Sequence, residues 1–386
     1  MIRRATGTVL IATLVVWPVA AQSPLSITSQ VETGWTSNAT DSAAGRGDFY
    51  ATHNEEISLT GVAGDALLRG TLRITQTRFL DTTFEDDDEV AGGIEAELAF
   101  GADAKLRLGY AVTRSWTGDD LNIEGFIIPI RSEETDHEFV GTFVVTGPDQ
   151  KVTVDVAALW AVQGNSELVG LGLPPLKLEA DVGTVTTRIA WEKAISPTMA
   201  ALAGMEARFT TVPELDQFLY FRAPADGGRV STGLRVIAGQ LTLSGSAGFD
   251  LVWPKGHADL RRTSPYFAVA ASLVPTDGLT VTLNTATGVE LADPLDGVAG
   301  RTAAIDLGAT VALAPQVELS AQLGGWQEAG LYDTSLIRSR RTAAVGLHYA
   351  VSPRLAYGAT VSFAHHDDPG ESYDKTGIAL SVTGSL

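Results

Sequence analysis

The sequence predicts an all-β protein: a transmembrane, up-and-down antiparallel barrel of about eighteen strands, with about sixteen as the alternative count. Three observations predict it. Apolar and polar residues alternate with period two along almost the whole chain. The connections alternate between tight turns and long polar loops. No segment beyond the N-terminal region is long and apolar enough to cross a membrane as a helix.

The N-terminal segment reads as a secretory signal peptide. Arg3 and Arg4 supply a basic start, Thr8 to Val16 a short apolar core, and Val19-Ala20-Ala21 small residues for cleavage before Gln22. Trp17-Pro18 interrupts the apolar stretch, which is too short for a spanning helix. The expected division is therefore a signal peptide over 1–21 and one barrel domain over 22–386.

Strand patterns follow one another from there. Leu68, Gly70, Leu72 and Ile74 alternate with Arg69, Thr71, Arg73 and Thr75, and Ile94, Ala96, Leu98 and Phe100 with Glu95 and Glu97. Leu106, Leu108, Tyr110 and Val112 come next, interleaved with Lys105 and Arg107. Similar rows run through Val152–Trp160, Met199–Phe209, Leu241–Trp253, Leu279–Leu283, Ala303–Leu313, Val317–Leu323, Val345–Tyr349, Leu355–Phe363 and Ile378–Val382. A helix would repeat its apolar residues every three or four positions. Tight turns are expected at 64–65, 101–103, 147–149, 196–197, 238–239, 276–278, 314–315 and 352–353. Long loops are expected near 36–48, 80–88, 118–133, 164–180, 212–228, 254–262, 291–300, 329–339 and 365–373. Such alternation suits an outer-membrane barrel with turns at the periplasmic rim, long loops outside and both termini in the periplasm. Hydrocarbon offers no hydrogen-bond partner, so the sheet must close and leave no edge.

Composition narrows the function classes. The 386 residues are 45% hydrophobic and 19% charged, with 27 basic and 46 acidic residues and a net charge of −19. That charge excludes a nucleic-acid partner, which needs cations to displace phosphate counterions. With no cysteine, disulfides, thiolate metal sites and Cys nucleophiles are excluded together. Enzyme motifs fail when tested. His137-Glu138 is followed by Gly141 where a zinc-protease helix needs its second His. Ser244 and Ser246 lack a nucleophile elbow, and Gly170 and Gly172 lack the third glycine of a dinucleotide site. No enzyme and no cofactor are expected.

A barrel of this size is too wide for side chains to fill, so candidate functional residues are those expected to face the lumen. These are Arg69, Arg73, Glu95, Glu97, Lys105, Arg107, Arg188, Glu206, Arg208, Arg229, Arg235 and Asp250, with Glu192 beside them. They serve either as a transverse field that selects polar solutes or as a salt-bridge network that satisfies wall charges. Two loops are unusually apolar: Phe126, Ile127 and Ile128 lie in one, Leu171 and Leu173 in the other. They either fold into the mouth as constrictions or pack against one another above the membrane. The acidic run Phe84 to Glu89 reads as a solvated loop tip, with divalent cations bridging lipopolysaccharide as the alternative. His365-His366-Asp367-Asp368 carries metal-compatible groups, but four adjacent residues cannot all address one ion, so no metal is expected.

Glu32-Thr33-Gly34-Trp35-Thr36-Ser37-Asn38-Ala39 leads into a loop and a long strand. This resembles the Gly-aromatic-x-Ser-Asn opening of outer-membrane β-barrel porin families of proteobacteria. Those include barrels encoded with exopolysaccharide machinery and the barrel half of surface lipoprotein assembly modifiers. No site residue transfers from them. The last strand, with Ile378, Leu380, Val382 and Leu386 on one face, resembles the assembly signal read by the barrel-assembly machinery, although the usual terminal residue is aromatic. The expected setting is the bacterial outer membrane. Lipid and lipopolysaccharide would lie around the barrel, with the assembly machinery as a transient partner and a periplasmic or surface protein as a further one. The expected role is a porin-like channel for small polar solutes or a polysaccharide. The alternative is a structural or docking barrel closed by its apolar loops.

Overall fold

The computed structural model describes residues 25–386 except 44, 124–125 and 294. The expected signal peptide over 1–21 lies outside the described residues. The first seven strands are β1 (Leu25–Thr36), β2 (Asp48–Ala63), β3 (Ala66–Phe79), β4 (Asp87–Phe100), β5 (Ala104–Ile123), β6 (Phe126–Thr146) and β7 (Gln150–Gln163). Two short strands, β8 (Asn165–Leu168) and β9 (Leu176–Lys177), interrupt the next connection. The wall resumes with β10 (Val182–Ser196), β11 (Met199–Thr211), β12 (Ala225–Ala238), β13 (Leu241–Pro254), β14 (Arg262–Thr276) and β15 (Leu279–Leu291). It finishes with β16 (Ala299–Ala314), β17 (Val317–Gly330), β18 (Ile337–Ser352), β19 (Leu355–Asp368) and β20 (Glu371–Ser385).

Each long strand pairs antiparallel with its sequence neighbour, and β7 pairs with β10 across the β8–β9 excursion. Pairing of β1 with β20, from Thr28↔Ser385 to Thr36↔Gly377, closes the ring. The result is an all-β, closed 18-strand antiparallel barrel. Eight connections at one end are tight turns, such as Gly64-Asp65 between the paired Ala63 and Ala66.

The opposite end carries the other connections, and there the structure departs from two loop expectations. Residues 118–133 are mostly strand: β5 and β6 stay paired from Ala104↔Val145 to Ile123↔Phe126, forming a tall hairpin. Likewise β19 and β20 remain paired up to Asp368↔Glu371. In both cases glycines and acids such as Gly118, Asp119, Asp120, Asp367 and Gly370 signal a loop, although a strand standing above the lipid carries them equally well. The helix α1 (Glu214–Tyr220) and two 3-10 turns, Thr83–Glu85 and Ala258–Leu260, also lie in connections at this end.

Alternation sorts the two faces. Phe49, Leu59, Leu72, Ile94, Met205, Phe249, Ile305, Val361 and Leu380 all stand largely exposed on the outer face, where lipid would cover them. Aromatic residues mark both margins of this apolar surface. Phe100, Phe143, Trp191, Tyr349 and Tyr357 are near the tight turns, and Trp35, Phe49, Trp160 and Phe209 near the long connections. Such girdles are the expected boundary of a barrel's lipid-facing band. Eighteen strands about 4.8 Å apart, tilted by about 40°, give a backbone radius of about 18 Å and a side-chain-lined lumen of about 12 Å radius.

Candidate functional site

Because Leu68, Leu72, Ile94 and Leu108 face outward, their neighbours Arg69, Arg73, Glu95, Glu97, Lys105 and Arg107 face the lumen. Register places Arg69 opposite Glu95, and Glu95 opposite Gly109. The charges pair diagonally instead of directly: Arg107 reaches Glu95, Lys105 Nζ lies 3.2 Å from Glu97, and Arg73 Nη2 lies 2.7 Å from Glu89. These side chains are roughly one-third to two-thirds exposed, so each pair adds only about 0–1 kcal/mol to stability. On this wall, Glu56, Glu89, Glu134, Asp136 and Glu138 add further inward carboxylates, and acid exceeds base.

The β10–β13 wall is different. Arg188, Glu192, Glu206, Arg208, Arg229, Arg235 and Asp250 share the inner face. Arg235 grips Glu192 with both guanidinium nitrogens. Asp250 has no exposed surface. It accepts from Arg208 Nη2 at 2.8 Å and from Arg229 Nε at 2.8 Å and Nη2 at 3.1 Å. Arg229 also stacks over the Tyr266 ring, 4.0 Å from its centroid. Four of the expected lumen-lining charges, Glu206, Arg208, Arg229 and Asp250, are therefore largely buried rather than open to solvent, with Glu206 Oε1 3.1 Å from Arg208 Nε.

What buries them is the hairpin of β15 and β16. Its ladder continues to Leu291↔Ala299, but pairing of β14 with β15 stops at Ala268↔Ala286. Beyond that point β15 leaves the wall and bends into the barrel. Arg208 donates to the Val289 carbonyl. Val289 and Ala299 pack on Ala225 and Val252 of β12 and β13, all four at most 2% exposed, with Leu291, Leu331 and Tyr332 around them. Gly227 lets the hairpin pack closely here, since a Cβ would come 3.1 Å from Leu291 Cδ1.

Other connections brace the hairpin from above. Arg222 Nη1 donates to the Ala292 carbonyl at 2.5 Å, and the Ala223 amide to the Gly297 carbonyl at 2.7 Å. Tyr332 N donates to Asp296 Oδ2 at 2.9 Å. The 164–181 connection joins through Lys177, whose Nζ lies 2.6 Å from Asp216 Oδ2 and 2.8 Å from Asp181 Oδ1. Burial alone would lower the Lys177 pKa, but hydrogen bonds to Asp181 and Asp216 outweigh it and hold the ammonium above its ordinary value. For Asp216, burial pushes upward, yet Lys177 and the Asp181 amide outweigh it and hold the carboxyl below its ordinary value.

The expected constriction residues lie in two other connections at the same end. Phe126, Ile127 and Ile128 occupy the top of the β5–β6 hairpin, and the buried Ile130 pairs with Leu168 of β8. Leu171 and Leu173 are each 52% exposed in the 164–181 connection. The acids of the 84–89 run are paired: Asp88 meets Arg78 at 2.5 Å and Arg131 at 2.8 Å. His365 and His366 point to opposite faces, His365 toward Asp374 at 2.7 Å and His366 stacked on Tyr373 at 4.7 Å.

The remaining wall, β14–β20, was not anticipated. Its inner face carries Ser272, Thr282, Asn284, Thr310, Ser320, Thr342, Thr360, Ser362 and Ser381 among alanines and glycines. Between its margins it is mostly small and hydroxylated, with Asp306 and Glu318 among its inward charges and Glu328, Arg338, Arg340 and Lys375 toward the long connections.

The sequence matches no protein-family model and no curated protein. Among solved structures, the chain is similar to a mutant of the ferric enterobactin receptor PfeA from Pseudomonas aeruginosa. The TM-score is 0.56 at 8% identity, over 95% of this chain and 81% of that one. It is also similar to the copper transporter OprC, with TM-score 0.54 at 10% identity, over 94% and 80% of the two chains. A third is CdiB from Acinetobacter baumannii, with TM-score 0.52 at 11% identity over 95% of this chain; the match spans 61% of the length of CdiB. The shared feature is the fold, that of outer-membrane barrel proteins.

Proposed function

We propose that this barrel is a non-catalytic channel in the bacterial outer membrane. It passes small polar solutes passively, prefers cations, and is narrowed at one mouth by the β15–β16 hairpin. The observation that carries this reading is the inner wall. A lumen of about 12 Å radius, lined by charges and hydroxyls, is stable only if water fills it. Among the described residues, the elements outside the wall are short and lie at the long-loop end. The likeness to outer-membrane transporters agrees with a transport role. In this reading residues 1–21 direct export, the tight turns face the periplasm and the assembly machinery inserts the barrel. Lipid and lipopolysaccharide surround it. The hydroxylated β14–β20 wall would also suit a polysaccharide, whose hydroxyls both donate and accept.

Planar-bilayer recording of the purified protein tests the proposal. Stepwise, ohmic conductance with a modest cation preference is expected. Insertion without conductance would overturn it. A docking barrel is the second reading, favoured by exposed apolar residues at the long-loop end: Phe218 is 77% and Phe221 83% exposed, and Leu171 and Leu173 are exposed in another connection at that end. Absent conductance together with a stoichiometric co-purifying protein would favour that reading.

A further inference from the structure

The outer face of β1–β3 breaks the rule that lipid-facing residues are apolar. On β1 the outward series runs Leu25, Ile27, Ser29, Val31, Thr33, Trp35, and on β2 it runs Leu59, Ile57, Glu55, His53, Ala51, Phe49. Ser29, Glu55 and His53 thus have apolar outward residues both toward the tight turns and toward the long connections. Register brings them together: Ser29 lies opposite Glu55, and His53 lies between Val31 and Gln76 of β3. Ser29 Oγ lies 3.3 Å from His53 Nε2. Among the described residues the Glu55 carboxylate makes neither a hydrogen bond nor an ion pair.

The opposite side of the barrel shows what the lipid face looks like elsewhere. Along β11 the outward residues are Met199, Ala201, Ala203, Met205, Ala207 and Phe209. Where a polar pair does face outward on β5–β6, it satisfies itself, Tyr110 Oη lying 2.9 Å from His137 Nδ1. An ionisable group facing hydrocarbon without a partner is costly, because lipid supplies neither charge nor hydrogen bonds.

We propose that this polar island on β1–β3 is the contact between copies of the barrel within the membrane. The second copy is the occupant because the island complements itself: it offers a carboxylate, an imidazole, an amide and a hydroxyl. Glu55 of one barrel can therefore be satisfied by His53, Gln76 or Ser29 of another. The flanking Val31, Ile57, Leu72 and Ile74 would pack around that contact and exclude lipid. The proposal is independent of whether the lumen conducts.

The chain has no cysteine, which makes the test direct. Ser29→Cys and Gln76→Cys are made singly, with Ala203→Cys on β11 as the control, and each is treated in membranes with a short bis-maleimide. Retention of the heat-modifiable folded form on gels identifies correctly inserted barrels. At least one of the first two variants should give covalent oligomers several-fold more efficiently than Ala203→Cys. Adding His53→Leu and Glu55→Leu should abolish that excess while leaving the barrel folded. Equal cross-linking at all three positions, or an excess that survives the double leucine substitution, would overturn the proposal.

Discussion

The inward β15–β16 hairpin yields the sharpest prediction. Replacing Val289–Arg301 by Asn-Gly leaves the paired Gly288 and Thr302 joined by a two-residue turn of the type hairpins favour. The deletion removes Val289, Leu291 and Ala299 from the inner wall and leaves the rest of the ring intact. A lumen of about 12 Å radius has a cross-section of about 450 Å². Two strands about 4.8 Å apart, with side chains, fill about 100–150 Å² of it. Removing them should raise the limiting area, and with it the single-channel conductance in high salt, by about 1.3- to 1.5-fold. The assay is single-channel recording of wild type and variant under one salt condition, with heat-modifiability confirming that both barrels fold. Unchanged or lower conductance in a folded variant would refute the assignment of this hairpin as the constriction.

Three further outcomes follow from particular residues. Glu95→Gln with Glu97→Gln removes two charges from the acidic wall. The cation-to-anion permeability ratio, read from reversal potentials in a salt gradient, should fall by about twofold, and less at high ionic strength. Asp216 has a folded-state pKa below its ordinary value of 3.8, so its contribution is present above that value and is lost as pH falls through it. Pepsin cleavage within the 164–181 connection should therefore accelerate below about pH 4 relative to a control substrate, and trypsin cleavage after Lys177 should accelerate in Asp216→Ala at neutral pH, where the lost tie is worth about 1–2 kcal/mol. Gly248→Ala would drive a methyl into the Val230 carbonyl of the adjacent strand. It should cost about 3 kcal/mol or more, seen as a reduced heat-modifiable folded fraction during refolding into detergent.

The barrel was legible because lipid enforces its rule residue by residue. Most outward positions, such as Leu72, Ile94 or Leu347, are apolar, and short turns break the pattern at regular intervals. The lumen-facing charges followed from the same alternation, since Arg69 and Glu95 occupy the other parity. What was not legible was height. Residues 118–133 mix Gly118, Asp119 and Asp120 with the apolar 126–130 run and so lack a clean alternation, which alone cannot separate a strand standing above hydrocarbon from a loop. Nor could alternation reveal that β15 leaves the wall after Ala286, because the bend depends on partners three and four strands away. Gly227, Arg208 and Asp250 offered the available signals: a glycine inside a strand, and a charge cluster too dense for one face. The apolar loops drew attention as constrictions because greasiness is conspicuous. The segment that enters the lumen, 292–298, is polar at its tip and packs through Val289 and Leu291 just before it.

The hairpin and the wall charges also bear on one another. Charges facing a wide aqueous lumen cost little to maintain, so their arrangement is free to answer to the solute instead of to stability. The two charged walls are unequal, with acid in excess on β2–β6 and base slightly in excess on β7–β13. The charge balance of this second wall is unchanged by the hairpin, which covers Arg208 and Arg229 together with Glu206 and Asp250, two bases and two acids. Asp250 makes that tolerable: two guanidiniums buried side by side would repel, and its carboxylate, bonded to both, holds them beneath Val289. The bent hairpin therefore narrows the opening by covering a neutral cluster, and the preference for cations rests on the acidic β2–β6 wall that it leaves in the aperture.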